Sequence, residues 1–261
     1  MTNYRLILEY DGTDFEGWQS QSGDRRTVQG CLADAVERIT GERVQPNGSG
    51  RTDSGVHAEG QVANVKLAAS LAPAELQRAL NAVLPLDLVV RALDAVPENF
   101  DARRDALSKR YRYRIWNGPW RSPHRARTHL FVPRRLDFDA MQRAAQALVG
   151  THDFASFQAS GSSVKTSVRT VTRLQGKGAP GGEIVFDVEG SGFLRHMVRN
   201  IVGTLLEVGQ GQRTSGSMEA LLAARDRRQA GITAPPMGLC LMRVDYAVEA
   251  AADTETRPHS A

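Results

Sequence analysis

Cysteine is nearly absent from this chain: its 261 residues hold two, Cys31 and Cys240, and neither belongs to a Cys-x-x-Cys pair. That excludes a disulfide framework, argues against a structural zinc site and suits a reducing compartment. Long apolar runs are missing as well. No stretch approaches the roughly 18 apolar residues that a membrane-spanning helix takes. The opening segment MTNYRLILEY enters a strand-like alternation at once, so no secretory leader is expected and a cytoplasmic protein is the default. An excess of one charge is also lacking, with 33 basic against 29 acidic residues and a formal net charge of +4. Taken alone, that balance says little about partners.

What is present is an ordinary globular composition, 41% apolar and 24% charged, long enough for one large or two small domains. Tyr4 to Tyr10 alternates as a strand. Val28, Leu32, Ala35, Val36 and Ile39 then fall at helical spacing, between Thr27 as N-cap and Gly41 as stop. A short strand is expected around Val44, another over Gln61 to Leu67, a helix opened by Pro73 and closed by Pro85, and a strand from Leu88 to Val96. The second half repeats that order. Strands are predicted at Lys109–Trp116, Val168–Leu174, Ile184–Val188 and Leu239–Tyr246, with helices at Phe138–Val149 and Phe193–Val208 and an extra short helix at Met218–Ala224. The predicted fold is α+β, with two ferredoxin-like βαββαβ halves joined across a central basic cleft. Residues 1–104 form one half and 105–247 the other, and the aperiodic tail 248–261 is expected to be disordered.

Between the second and third strands lies the stretch NGSGRTDSGVHAEGQ, from Asn47 to Gln61, too polar and too rich in glycine for a regular element. Such a loop presents a side chain to a ligand at a fixed angle. Three chemistries compete for it. A phosphate cradle would need a Gly-Lys-Ser/Thr ending and a helix directly after it, and a strand follows instead. A zinc deaminase would use His57 and Glu59 as its H-x-E half, but Cys31 and Cys240 cannot supply the Pro-Cys-x-x-Cys half. The third is a lone catalytic carboxylate, Asp53, with Arg51 as the nearest cation. Against it stands a plain turn, Thr52-Asp53-Ser54-Gly55, in which the aspartate bonds its own backbone. Spacing alone favours the turn.

At these residues the chain resembles the tRNA pseudouridine synthase A family, whose signature loop reads G-x-G-R-T-D-x-G-V-H. LEYDGTDFEGWQSQ, KRYRYRIWN, FLRHMVRNIVGTLLEVG and GLCLMRVDY resemble further blocks of that family in the same order, from Tyr4 to Tyr246. The one departure is Ser54, where the family often has alanine. The resemblance implies an isomerase that converts uridine to pseudouridine at positions 38, 39 and 40 of the tRNA anticodon stem-loop. It implies a homodimer needing neither cofactor nor metal. Asp53 matches the catalytic nucleophile, Tyr111 the active-site tyrosine that stacks on the uracil, and Arg199 the arginine that pairs with the aspartate. Arg51 belongs to the signature and is expected to contact RNA or steady the loop. Whether the aspartate addresses C6 of the base, C1′ of the sugar or a glycal route is open at this level. The arginine-rich stretch from Arg103 to Arg135 is expected to track phosphates, with binding that weakens as salt rises. Two rival readings remain. A non-catalytic RNA-binding module would need the basic surface but not Asp53, and a glycosidase would need a second carboxylate, for which Glu59 is the sole neighbour.

Overall fold

In the computed structural model, which describes residues 1–21, 25–159, 161 and 164–247, the alternation at the start of the chain becomes strand β1, Thr2–Tyr10. Tyr4, Leu6, Leu8 and Tyr10 are buried on one face of it. Helix α1, Val28–Thr40, opens where Thr27 Oγ1 accepts the N–H of Gly30 and closes at Gly41, as the sequence predicts. Strand β2, Asn47–Gly48, lies inside the glycine-rich stretch rather than around Val44. It is followed by β3 (His57–Leu67), α2 (Pro73–Val83) and β4 (Leu88–Val96). The second half contributes β5 (Ser108–Trp116), β6 (Leu130–Phe131), α3 (Phe138–Gln146), β7 (Gly150–Asp153), β8 (Val168–Gly178), β9 (Glu183–Gly190), α4 (Met197–Gly209), α5 (Met218–Ala224) and β10 (Leu239–Asp245). The tail over 248–261 lies outside the described residues.

The strands run β4-β1-β3-β10-β5-β9-β8-β7, with β2 on β3 and β6 on β5. Each half therefore has the split βαβ order: β1 lies between β3 and β4, and β5, with the short β6 and β7 set aside, lies between β9 and β10. The halves meet where β10 pairs with β3 in parallel, Cys240 beside His57 and Leu241 beside Ala58. The two sheets run on into one. That seam brings the strand following the glycine-rich loop next to the strand that closes the chain.

Two apolar clusters pack on this sheet. One joins α1 and α2 to the first half through Leu6, Leu32, Val36, Leu76 and Leu80, and the other joins α3 and α4 to the second half through Met141, Phe186, Ile201 and Leu205. Each such side chain contributes about 1.5–3 kcal/mol by leaving water. Tyr111 packs against both clusters, which puts it on the seam.

Several boundaries differ from the sequence expectation: β3 starts at His57 rather than Gln61, inside the glycine-rich stretch, and β8 runs on to Gly178 rather than Leu174. Helix α3 stops at Gln146, because two tight turns carry Leu148 into the core and β7 starts at Gly150. Strand β7 adds an edge to β8, a pairing four residues long that periodicity does not reveal. Helix α4 begins at Met197 rather than Phe193, because His196 takes a left-handed backbone at φ 61° and breaks the helical path. A non-glycine residue in that region is uncommon, and this one borders the site described next.

Candidate active site

The glycine-rich loop is pinned by backbone bonds on both sides of Asp53. Ser49 N–H donates to Val62 O at 2.7 Å, Trp18 N–H to Thr52 O at 3.0 Å and Gly55 N–H to Phe15 O at 3.3 Å. Val56 N–H closes the turn onto Asp53 O at 3.1 Å. Gly55 has φ 77°, and a Cβ there would also come 2.8 Å from the Pro236 ring, so only glycine lets the loop turn this sharply. Ser54, the departure from the family pattern, is exposed and bonds Phe15 O at 3.3 Å.

From this turn the Asp53 side chain reaches across to the second half. Arg199 Nη1 donates to Asp53 Oδ2 at 2.8 Å, and Arg199 Nε donates to Ala234 O at 2.8 Å. The second bond fixes the plane of the guanidinium. His196 Nε2 lies 3.5 Å from the same carboxylate oxygen. The Arg199 side chain is 13% exposed and that of Asp53 27%, so the carboxylate is held from inside while one side stays open. The turn forms through the Asp53 backbone, but the carboxylate pairs with Arg199 instead of bonding its own loop.

Tyr111, on β5, meets the Phe193 ring edge-on with centroids 5.3 Å apart. Burial, then the neighbouring Tyr10 and Asp53, push its phenol above the usual tyrosine range. The hydroxyl is therefore protonated at neutral pH. Tyr113, two residues on, is a core residue, and its hydroxyl donates to Pro235 O at 2.7 Å. Arg51 is exposed and forms no ion pair among the described residues.

The other readings of the loop meet specific obstacles. His57 is buried with both ring nitrogens engaged, Nδ1 at 3.1 Å from Gly12 N and 3.2 Å from Asp11 Oδ1, and Nε2 at 3.1 Å from Met237 O. Glu59 turns to Arg114, 2.8 Å away. His57 and Glu59 thus face different partners and make neither a metal shell nor, with Asp53, a paired-carboxylate site.

Sequence reasoning missed three contributors. His196 carried no signal beyond its place in a helical pattern. The segment 233–237 was an unassigned connection, yet its carbonyls receive Arg199, Tyr113 and His57. Lys109 donates from Nζ to Ser49 O at 2.6 Å, tethering the loop to β5. Burial, with the Arg103 charge adding, pushes its ammonium down to about 8. The unfolded chain then binds more protons than the native one between about pH 8 and the ordinary value of 10.5, so this group makes stability rise with pH across that window. Urea unfolding at pH 7.5 and pH 10 should show wild type gaining on the order of 2 kcal/mol relative to Lys109→Met. Parallel profiles for the two proteins would refute the assignment.

Apart from Arg125, half-buried over the Trp116 ring, the arginine-rich stretch divides into two sets. Arg110 and Arg112 both grip Asp187, Arg104 pairs with Asp105, Arg114 with Glu59, and Arg127 with Asp11 and Asp14. Burial alone would raise the Asp187 carboxyl, but hydrogen bonds and charge from Arg112 and Arg110 outweigh it and hold it below the usual range. Arg103, Arg121, Arg134 and Arg135 are the exposed arginines of the stretch that no carboxylate of the described residues holds.

A family model described as tRNA pseudouridine synthase matches residues 6–105 and 144–247. The chain is 44% identical to tRNA pseudouridine synthase A of Acetivibrio thermocellus over 246 residues, covering 94% of this chain and 100% of that one. It is similar to the proteins of that name from Myxococcus xanthus, at 44% identity over 94% and 92% of the two chains, and Syntrophotalea carbinolica, at 46% over 95% and 97%. Among solved structures, an archaeal box H/ACA sRNP Nop10-Cbf5 complex matches with a TM-score of 0.35 and 13% identity, over 78% of this chain and 44% of that one. That likeness is too distant to bear on the fold.

Proposed function

The chain belongs to the tRNA pseudouridine synthase family, and from that premise we propose that it isomerises uridine to pseudouridine at positions 38, 39 and 40 of the tRNA anticodon stem-loop, with Asp53 as the nucleophile. One observation carries the reading: a partly open carboxylate on a rigid turn, gripped at 2.8 Å by an arginine from the other half of the chain. The reaction breaks the bond between ribose C1′ and base N1, turns the base, and joins C1′ to C5. The proton on C5 leaves and N1 gains one, so no oxidant or reductant takes part.

Each residue has a task in that sequence. Asp53 presents an anionic oxygen to the flipped nucleotide, and Arg199 fixes its direction without blocking the open side. The face of Tyr111 receives the uracil, with Phe193 bracing the ring from its edge. Its hydroxyl is protonated in the free enzyme and so enters as a hydrogen-bond donor; any removal of the C5 proton by it waits on a shift in the bound complex. Extruding the uridine costs a few kcal/mol, which contacts outside the pocket must offset. Arg51, exposed two residues before the nucleophile, serves as one of them. The resemblance further supports a homodimer acting in the cytoplasm without metal or organic cofactor.

The test is incubation with unmodified tRNA carrying tritium at uridine C5, in buffer containing a chelator. Tritium release is expected, and carbodiimide mapping should place the new pseudouridines at 38, 39 or 40. Binding without release would favour the non-catalytic module, and modification elsewhere in the tRNA would overturn the site preference.

A further inference from the structure

From Ala106 to Leu136 the chain holds no aspartate or glutamate and nine arginines and lysines. The family model leaves 106–143 unmatched, and within that run only Lys109–Asn117 belongs to a block that resembles the family, so the loop beyond Asn117 lies outside the quoted motifs. Its central loop, 117–129, follows β5 and is built rigidly. Asn117 is buried and donates to Val132 O and Arg134 O, both at 2.8 Å. Trp116 Nε1 donates to Trp120 O at 2.7 Å, and the Arg125 guanidinium lies over the Trp116 ring, 4.3 Å from its centroid. Arg127 ties the far end to Asp11 and Asp14, in the turn whose Gly12 N–H bonds His57. The loop thus sits against the same end of the sheet as the catalytic turn.

This frame holds Trp120 outward, 81% exposed, with Arg121 and His124 exposed nearby. An indole offers about 200 Å² of mostly apolar surface, and one held outward on a fixed loop beside exposed cations is a platform on which a base can stack. We propose that this loop is a second contact for tRNA outside the Asp53 pocket, in which Trp120 stacks on the face of an unpaired base and Arg121 meets the adjoining phosphate. The proposal rests on the tRNA reading above. Charge complementarity favours RNA over a second copy of the chain. An isologous protein contact would set Arg121, His124 and Arg125 against their own symmetry mates, with no acidic residue in the run to separate them. A nucleic acid supplies both the π-face and the negative charge.

The experiment compares full-length wild type, Trp120→Ala, Trp120→Phe and Arg121→Ala, measuring binding of unmodified tRNA over a salt series and steady-state tritium release. Trp120→Ala should weaken binding and raise KM about 5- to 150-fold, with kcat within about twofold of wild type. Trp120→Phe should recover most of the loss. Arg121→Ala should lower the salt slope by about one while Trp120→Ala leaves it unchanged. Because Trp120 is exposed, loss of fold is not expected, and melting curves check it. Wild-type affinity in Trp120→Ala, with wild type itself active, would overturn the stacking contact and leave the catalytic reading standing. A change of assembly mass in Trp120→Ala without a change in tRNA affinity would overturn it in favour of self-association. A wild type that neither binds nor modifies tRNA would remove both readings together.

Discussion

Asp53→Asn should lower tritium release from labelled tRNA by more than about a thousandfold while leaving tRNA affinity within about threefold. The substitution keeps the shape of the side chain and removes the negative charge and the nucleophilic oxygen. The turn itself should survive. It is held by Ser49 N–H on Val62 O, Trp18 N–H on Thr52 O and Gly55 N–H on Phe15 O, none of which involves the Asp53 carboxylate. Arg199 retains its bond to Ala234 O, so the guanidinium has a reason to stay in place. The amide oxygen of the substituted side chain can still accept from Nη1, though a charge-assisted bond becomes an ordinary one. Rate and binding should therefore separate cleanly. Release retained at a tenth of the wild-type rate or more would sink the assignment of Asp53, and an equal fall in affinity would mean that the variant had disturbed the RNA surface instead.

Gly203→Ala should produce the second large effect, although residue 203 touches no substrate. A Cβ at this position of α4 would stand 1.7 Å from Ile232 O and 2.9 Å from Ile232 C. Both are backbone atoms, so no side chain can swing aside. The helix cannot retreat either, because Ile201, Val202 and Leu205 are fully buried around it. The segment 232–237 has to move. With it go the contacts to Arg199 and Tyr113, the bond between Thr233 Oγ1 and Asn200 Oδ1 at 2.7 Å, and the contact of Met237 O with His57. Overpacking of this kind costs about 3 kcal/mol, which for a chain of this size lowers the melting temperature by roughly 6–12 °C. Single-turnover release below the melting range should fall at least about tenfold, because Arg199 loses the carbonyl that sets its plane. Ile232→Ser is the control: that side chain is 74% exposed, and melting should be unchanged. A Gly203→Ala protein that melts and turns over as wild type would show that the segment is not packed on α4 in solution.

Much of the fold is legible because the signals for it are local. The alternation of Tyr4, Leu6, Leu8 and Tyr10 and the Thr27 cap of α1 need only neighbouring residues to be read. The repeated element order was enough to expect two split βαβ halves. Misreadings fall where a distant contact overrides a local pattern. Phe193 to His196 continue the helical spacing of α4, but Phe193 packs on Tyr111 and His196 turns the chain, so the helix starts four residues late. The short strand β7 exists only because β8 lies beside it.

The candidate site divides in the same way. Asp53, Tyr111, Arg199 and Arg51 stand out through the family's motifs, without any geometry. The sequence by itself thus determined the element order, the glycine-rich turn and the family to which both belong, since each is written in contiguous residues. The family's motif already pointed to Arg199, 146 positions away, as the partner of Asp53; what only the tertiary structure decided is the geometry of the pair, with Arg199 Nη1 on the carboxylate and its Nε held by Ala234 O. The tertiary structure also decided that Arg110, Arg112, Arg114 and Arg127 are paired with carboxylates of this chain while Arg121 is exposed without an acidic partner among the described residues. The physical reason is that a charge is assigned by what lies within a few ångströms of it, and folding sets that neighbourhood by joining segments far apart in the chain.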